Sequence, residues 1–167
     1  MNKTFILLAL LTLGITAMAQ TNVRYGTIHY DSILTSMPEY AKAQQALDTL
    51  KAQYARETEH NEIAFKRQFA EFLEGQKNFP EVILLKRQRD LQESLEKGVA
   101  WRTEADKLLL RAKEALFAPV HKKLKAAIQK VGIDRGYETI VNLDSPTLPF
   151  LHPSVTEDAT PYILLEL

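Results

Sequence analysis

Glu74-Gly75-Gln76-Lys77-Asn78-Phe79-Pro80 decides the fold, because it is the only decisive break in a helix-period pattern that runs from Pro38 to Val131. Glycine provides a left-handed cap, and Asn-Phe-Pro biases the backbone away from the helical region before a second helix begins. The pattern predicts two long antiparallel helices joined at a tip, with residues 38–131 forming an arm whose turn lies near 75–80.

On the N-terminal side, residues 39–74 contain no Gly or Pro and are dominated by Ala, Gln, Glu, Lys and Leu, so propensity and pattern agree on helix. Ala43, Leu47, Leu50 and Tyr54 form a heptad seam that continues through Glu57 and Asn61 to Phe65, Phe69 and Phe72. Its consecutive steps of four are a stutter that locally unwinds a heptad. The second helix is more regular: Leu84, Gln88, Leu91, Leu95, Gly98, Arg102, Ala105, Leu109, Ala112, Leu116 and Pro119 keep steps of three and four. Val120, Leu124, Ala127 and Val131 extend the stripe to Gly132. This helix outruns its partner, so its last turns must pack on something other than the hairpin. Gly98 and Pro119 are candidate hinges, the proline because it lacks a donor and crowds the carbonyl of Ala115.

Outside the arm, Val23 to Tyr30 alternates as a strand, Asp31 and Ser32 start a brief turn, and Met37-Pro38-Glu39 starts the first long helix. Beyond Gly136, Tyr137–Leu143 and Thr147–Leu151 read as a β-hairpin about Asp144-Ser145-Pro146, and Thr160 caps a last short helix. The fold class is α+β, mostly α: a long helical hairpin projecting from a small β body. Residues 20–37 and 132–167 form that body within a single domain spanning 20–167. So little material at the base predicts a core shared between copies, built from Ile28, Ile140, Val141, Leu143, Leu148 and Phe150, and hence an obligate homo-oligomer.

Residues 1–19 read as a secretory signal peptide: Lys3, an apolar run from Phe5 to Ile15, and Ala17-Met18-Ala19 as cleavage site before Gln20. The run is shorter than the roughly 20 apolar residues a membrane anchor needs. The chain has 21 basic and 21 acidic residues and no cysteine, which argues against a nucleic-acid partner and excludes disulfides.

No catalytic motif, phosphate loop or metal-ligand spacing is present, so neither an enzyme nor a cofactor is expected. His29, His60, His121 and His152 are too scattered to suggest a site. Binding is the remaining theme. Phe65, Phe69, Phe72, Phe79 and Ile83, with Trp101 farther along, exceed what a two-helix seam needs and are candidates for gripping a partner, although each also suits the hairpin interior. Lys66, Arg67, Lys77, Lys86, Arg87 and Arg89 face only three acidic residues within 66–89. Residues 134–167 hold six acidic residues against Arg135, so the tips are basic and the base acidic. Such segregation can steer an anionic partner or membrane surface to the tips.

Tyr25-Gly-Thr-Ile-His-Tyr-Asp-Ser-Ile-Leu, Met37-Pro-Glu-Tyr-Ala-Lys-Ala-Gln, Ala118-Pro-Val-His-Lys-Lys-Leu-Lys-Ala-Ala-Ile, Gly136-Tyr-Glu-Thr-Ile-Val-Asn and Thr156-Glu-Asp-Ala-Thr together resemble the OmpH/Skp periplasmic chaperones of Gram-negative bacteria. The resemblance implies a periplasmic homotrimer in which three helical hairpins rise from a shared β body around a cavity. It also implies an ATP-independent holdase that keeps unfolded outer-membrane proteins from aggregating. The best-known members are strongly basic, whereas this chain is near neutral and has a positive excess only at its tips. The competing expectation from the residues is a structural or adaptor coiled coil of the cell envelope that binds a folded partner.

Overall fold

The computed structural model describes residues 23–145 and 150–167. The signal-peptide reading, Leu148 and most of the expected strand at 147–151 lie outside the described residues. In order, the elements are β1 (Tyr25–Ile28), α1 (Tyr30–Ser36), α2 (Pro38–Gly75), α3 (Glu81–Asp134), β2 (Thr139–Asn142), a short 3-10 turn (Pro153–Val155), β3 (Thr156–Asp158) and α4 (Thr160–Glu166). The 38 residues of α2 and the 54 of α3 correspond to about 57 Å and 81 Å at the helical rise. Pro38 starts α2 as expected, and α3 continues through Pro119 without interruption.

The tip forms where expected, but by a different mechanism. α2 closes at Gln76 in the right-handed region, and among the described residues positive φ occurs only at Gly136, at 66°. Gly75 serves packing instead: a Cβ there would lie 2.2 Å from Cζ of Phe79, so its absence lets the ring fold back against the helix end. Gly75 O accepts from Asn78 N, and Pro80 O accepts from Leu84 N to open α3.

The sheet also differs from expectation. β1 is its centre, paired in parallel with β2 on one side and β3 on the other, so the described residues contain no β-hairpin. Tyr25 stands opposite both Thr139 and Thr156. Phe150 and Leu151 belong to no strand; Thr156–Asp158 takes that place. Parallel pairing requires a long crossover, and here the crossover from β1 to β2 is the whole arm. Gly26 permits the close approach, since a Cβ on it would meet Ile140 Cγ1 at 3.0 Å and Tyr137 Cδ2 at 3.2 Å.

A core exists within one chain, contrary to the expectation that the base has too little material. Leu124, Ile33 and Ile163 are almost wholly enclosed, in a cluster with Ile28, Met37, Leu47, Phe117, Val120, Val131 and Ala159. The lower turns of α2 and α3 supply one layer, and the short helices α1 and α4 cover it. Of the six residues expected to be shared between copies, Ile28 belongs to the chain's own core and Ile140 packs against it. Val141 is partly buried, while Leu143 and Phe150 are exposed, Phe150 at 71 %.

One carboxylate fastens the C-terminal segment to the end of α3. Glu157 accepts from Arg135 Nη2 at 2.8 Å and from the Tyr162 hydroxyl at 3.0 Å, and it also pairs with Arg24. The Arg135 guanidinium lies over the Tyr162 ring, 3.4 Å from its centroid, an attractive cation-π geometry. On the other side, Asp144 accepts from Asp31 N at 2.8 Å and meets His29 Nδ1 at 2.9 Å.

These contacts, together with the bond from Lys123 Nζ to Glu39 Oε1 at 2.7 Å, hold three carboxyls below the usual range. The chief causes are the Tyr137 hydroxyl for Glu157, the Asp31 backbone for Asp144 and the Lys123 ammonium for Glu39. A carboxyl with a depressed folded pKa adds stability that is complete above its unfolded pKa and lost as pH falls through the folded one. Melting temperature is therefore expected to hold steady from about pH 7 to pH 5 and to fall below about pH 4, with a shallower fall in the double variant Asp144→Asn, Glu157→Gln. Thermal melts across that range check this; a flat profile down to about pH 3 would contradict it.

Candidate functional site

The side chains of the arm divide into those that zip the hairpin and those that face out. In α2 the seam runs through Leu47, Leu50, Tyr54, Thr58, Asn61 and Phe65, all buried or partly buried. The stutter therefore falls at Tyr54 and Thr58, and Glu57 is exposed rather than on the seam. In α3, Leu91, Gly98, Ala105 and Ala112 lie on the seam as read, but Gln88, Leu95, Arg102 and Pro119 are exposed. Ser94 and Trp101 turn inward instead of Leu95 and Arg102. Trp101 accounts for the shift: its ring meets Tyr54 edge to face at 5.6 Å, and Nε1 donates to Thr58 Oγ1 at 3.1 Å. Arg102, now outside, reaches across to pair with Glu62.

The candidate aromatic side chains separate accordingly. Phe65, Phe72, Phe79 and Trp101 are partly buried in the hairpin, with Phe72 and Phe79 tilted at 6.5 Å over the tip and Phe65 stacked on Phe69 at 6.1 Å. Phe69 and Ile83 are exposed. They are joined by Leu73, Val82 and Leu85 near the tip and by Ile63, Leu95, Val99 and Leu110 farther down, with Val82 at 76 % exposure. The heptad reading missed Ile63, Leu73, Val99 and Leu110. Their signal was in plain view, as large apolar residues off the seam positions.

The basic tip is largely unpaired. Lys86 bonds Asp90 at 3.1 Å, whereas Lys66, Arg67, Lys77, Arg87 and Arg89 form no ion pair among the described residues. Exposed apolar side chains and free cations thus alternate along the outer half of the arm. Leu85 lies two residues before Arg87, and Phe69 lies two residues after Arg67.

The histidines remain apart: His29 with Asp144, His121 with the Tyr30 hydroxyl, His152 with Ser154, and His60 exposed on α2. Among the described residues, no group of three or more His, Cys, Asp or Glu side chains gathers at metal distance. None of the described helices is long and apolar enough to cross a membrane.

Fold and surface together define a class: a coiled-coil hairpin raised on a small mixed base, whose arm presents apolar and cationic side chains at its surface. The comparisons with known proteins place it further. Residues 24–167 match the family model "Outer membrane protein (OmpH-like)", and the chain belongs to that family. It shares its fold with the crystal structure of an OmpH-like protein from Caulobacter crescentus CB15. The TM-score is 0.68 at 13 % identity, over 86 % of this chain and 82 % of that one. No curated protein matches the chain.

Proposed function

We propose that this chain is an ATP-independent periplasmic holdase that binds unfolded outer-membrane proteins between its arms and prevents their aggregation. The observation that carries the reading is the run of outward apolar side chains on the arm, Phe69, Leu73, Val82 and Leu85 foremost, set among unpaired cations. Scattered single side chains on a helix surface suit a client without fixed shape, because each contact is separately replaceable. A folded partner would instead call for one continuous complementary patch. That preference sets the holdase above an adaptor coiled coil, the rival reading.

The particle is proposed to be a homotrimer. Membership in the family supports this, as do two features of the base. β2 and β3 each pair only with β1 among the described residues, leaving their outer edges open to another copy. Leu143, Phe150, Ile133 and Leu165 are exposed there, Leu165 at 87 %. The free cations of the tips also suit an anionic membrane surface, approached tip first.

The test is dilution of a denatured outer-membrane β-barrel protein into buffer containing the purified chain. Light scattering is expected to be suppressed at near-stoichiometric amounts of trimer. Undiminished aggregation at large excess would overturn the reading.

A further inference from the structure

The enclosed side chains of the hairpin, Ala43, Leu47, Ala105 and Phe117 among them, all lie in its lower half. Above the Tyr54 and Trp101 rings the seam opens. Thr58 and Asn61 of α2 face Ser94 and Gly98 of α3, and large apolar seam residues resume only at Phe65 and Leu91. Between them lies a half-open cavity of about 80 Å³, several times the roughly 10–15 Å³ that one water needs. It has room for one side chain, not for a length of chain.

The walls are mainly apolar and already fixed. Trp101 is held by Tyr54, edge to face at 5.6 Å, and by its bond to Thr58 Oγ1, while Phe65 is stacked on Phe69. Leu95 and Val99, each more than half exposed, stand at the mouth and continue the outward apolar run of the arm. Gly98 keeps the space clear. It lies inside an unbroken helix, where glycine is a poor choice, yet a Cβ on it would meet nothing within 4 Å, so any larger side chain there would take up the opening.

The polar lining gives the cavity a preference. Thr58 Oγ1 is used twice, donating to Tyr54 O at 2.9 Å and accepting from the indole at 3.1 Å. Glu62 and Arg102, the two charged residues of the lining, pair with each other, which leaves no counter-charge for an ionic side chain. Asn61 and Ser94 differ: both are half-buried, and among the described residues neither side chain forms a hydrogen bond. Apolar walls beside an unused donor and acceptor suit an aromatic ring with a polar end.

We propose that this cavity is a subsite of the client surface that takes one tyrosine side chain, its ring against Phe65 and Trp101 and its hydroxyl bonded to Asn61 or Ser94. The subsite rests on the holdase reading and gives it a preference among client segments. Outer-membrane β-barrels carry girdles of aromatic residues at both membrane interfaces, where tyrosine is enriched. An unfolded barrel therefore offers such side chains repeatedly along its length.

Trp101 is the sole tryptophan of the chain, so its emission reports on the cavity directly. Tryptophan-free unstructured peptides that differ at one position, tyrosine or phenylalanine, are titrated into the full chain with excitation beyond the tyrosine band. The tyrosine peptide is expected to shift the emission and to bind about fivefold more tightly than its phenylalanine twin, the ratio that one neutral hydrogen bond supplies. Ser94→Leu, which fills the cavity, should abolish the response. Independently, Asn61→Ala combined with Ser94→Ala should make the two peptides bind equally. Unchanged emission in the wild-type chain, equal binding of both peptides to it, or a preference that survives in both variants would overturn the subsite. The two readings fail separately: no suppression of barrel-protein aggregation by the wild-type chain overturns the holdase, whereas suppression without any emission response overturns the subsite alone.

Discussion

Replacing Phe69, Leu73, Val82 and Leu85 together by glutamine is expected to weaken capture of an unfolded outer-membrane protein at least tenfold while leaving the helical hairpin intact. All four side chains are exposed, and each pair is spaced for one helix face: three apart for Val82 and Leu85, four apart for Phe69 and Leu73. Covering such a side chain contributes on the order of 1 kcal/mol, so losing four removes more than the 1.4 kcal/mol that corresponds to tenfold in affinity, even after allowance for ordering the client. Glutamine is a good helix former, so the arm is not penalised. The same light-scattering titration, with thermal melts as the control for folding, gives the answer. Full suppression by the quadruple variant would remove these residues from the binding surface.

Leu124→Ala is expected to destabilise the chain by about 3 kcal/mol and to lower its melting temperature by roughly 6 to 12 °C. Leu124 is fully enclosed where α3 crosses the base, so truncation leaves a cavity that the surrounding core cannot fill. Leu95→Ala is the informative contrast. A strict heptad places Leu95 on the seam, but it is 52 % exposed, and its loss should shift stability by about 0.5 kcal/mol or less. Urea titrations of both variants check the register of the arm as well as the core. An equal loss at Leu95 would mean that the heptad register is the true one.

The two helices and their turn were legible because the signals are local: a run without Gly or Pro, then Gly75 and Pro80. The seam was legible only in part. Leu91, Gly98 and Ala105 lie seven apart and hold in both registers, but the alternate positions depend on which large side chain finds a partner across the hairpin. Trp101 finds Tyr54 and Thr58, and that choice turns Leu95 and Arg102 outward. β3 left no readable pattern, since three residues with two carboxylates carry no alternation and their partner strand lies more than a hundred residues away. The core was underestimated for a related reason. The turns beyond Pro119 were read as packing outside the hairpin, yet Val120 and Leu124, with Phe117 before the proline, were not counted into the material of the base. Among the proposed gripping residues, composition identified the cluster but could not divide Phe79, folded over Gly75, and Phe72 beside it from Phe69 and Ile83, which face out.

The central claim, that outward apolar side chains of the arm hold unfolded polypeptide, is tested most directly by site-specific photo-crosslinking. A photoreactive residue is placed at Leu85, at Val99 or, on the base, at Ile133, and each variant is mixed with a denatured outer-membrane β-barrel protein. Crosslinks are expected from Leu85 and Val99 and none from Ile133, with the arm crosslinks disappearing when the same client is supplied folded in detergent. Crosslinks confined to Ile133, or arm crosslinks equally strong to the folded client, would contradict it.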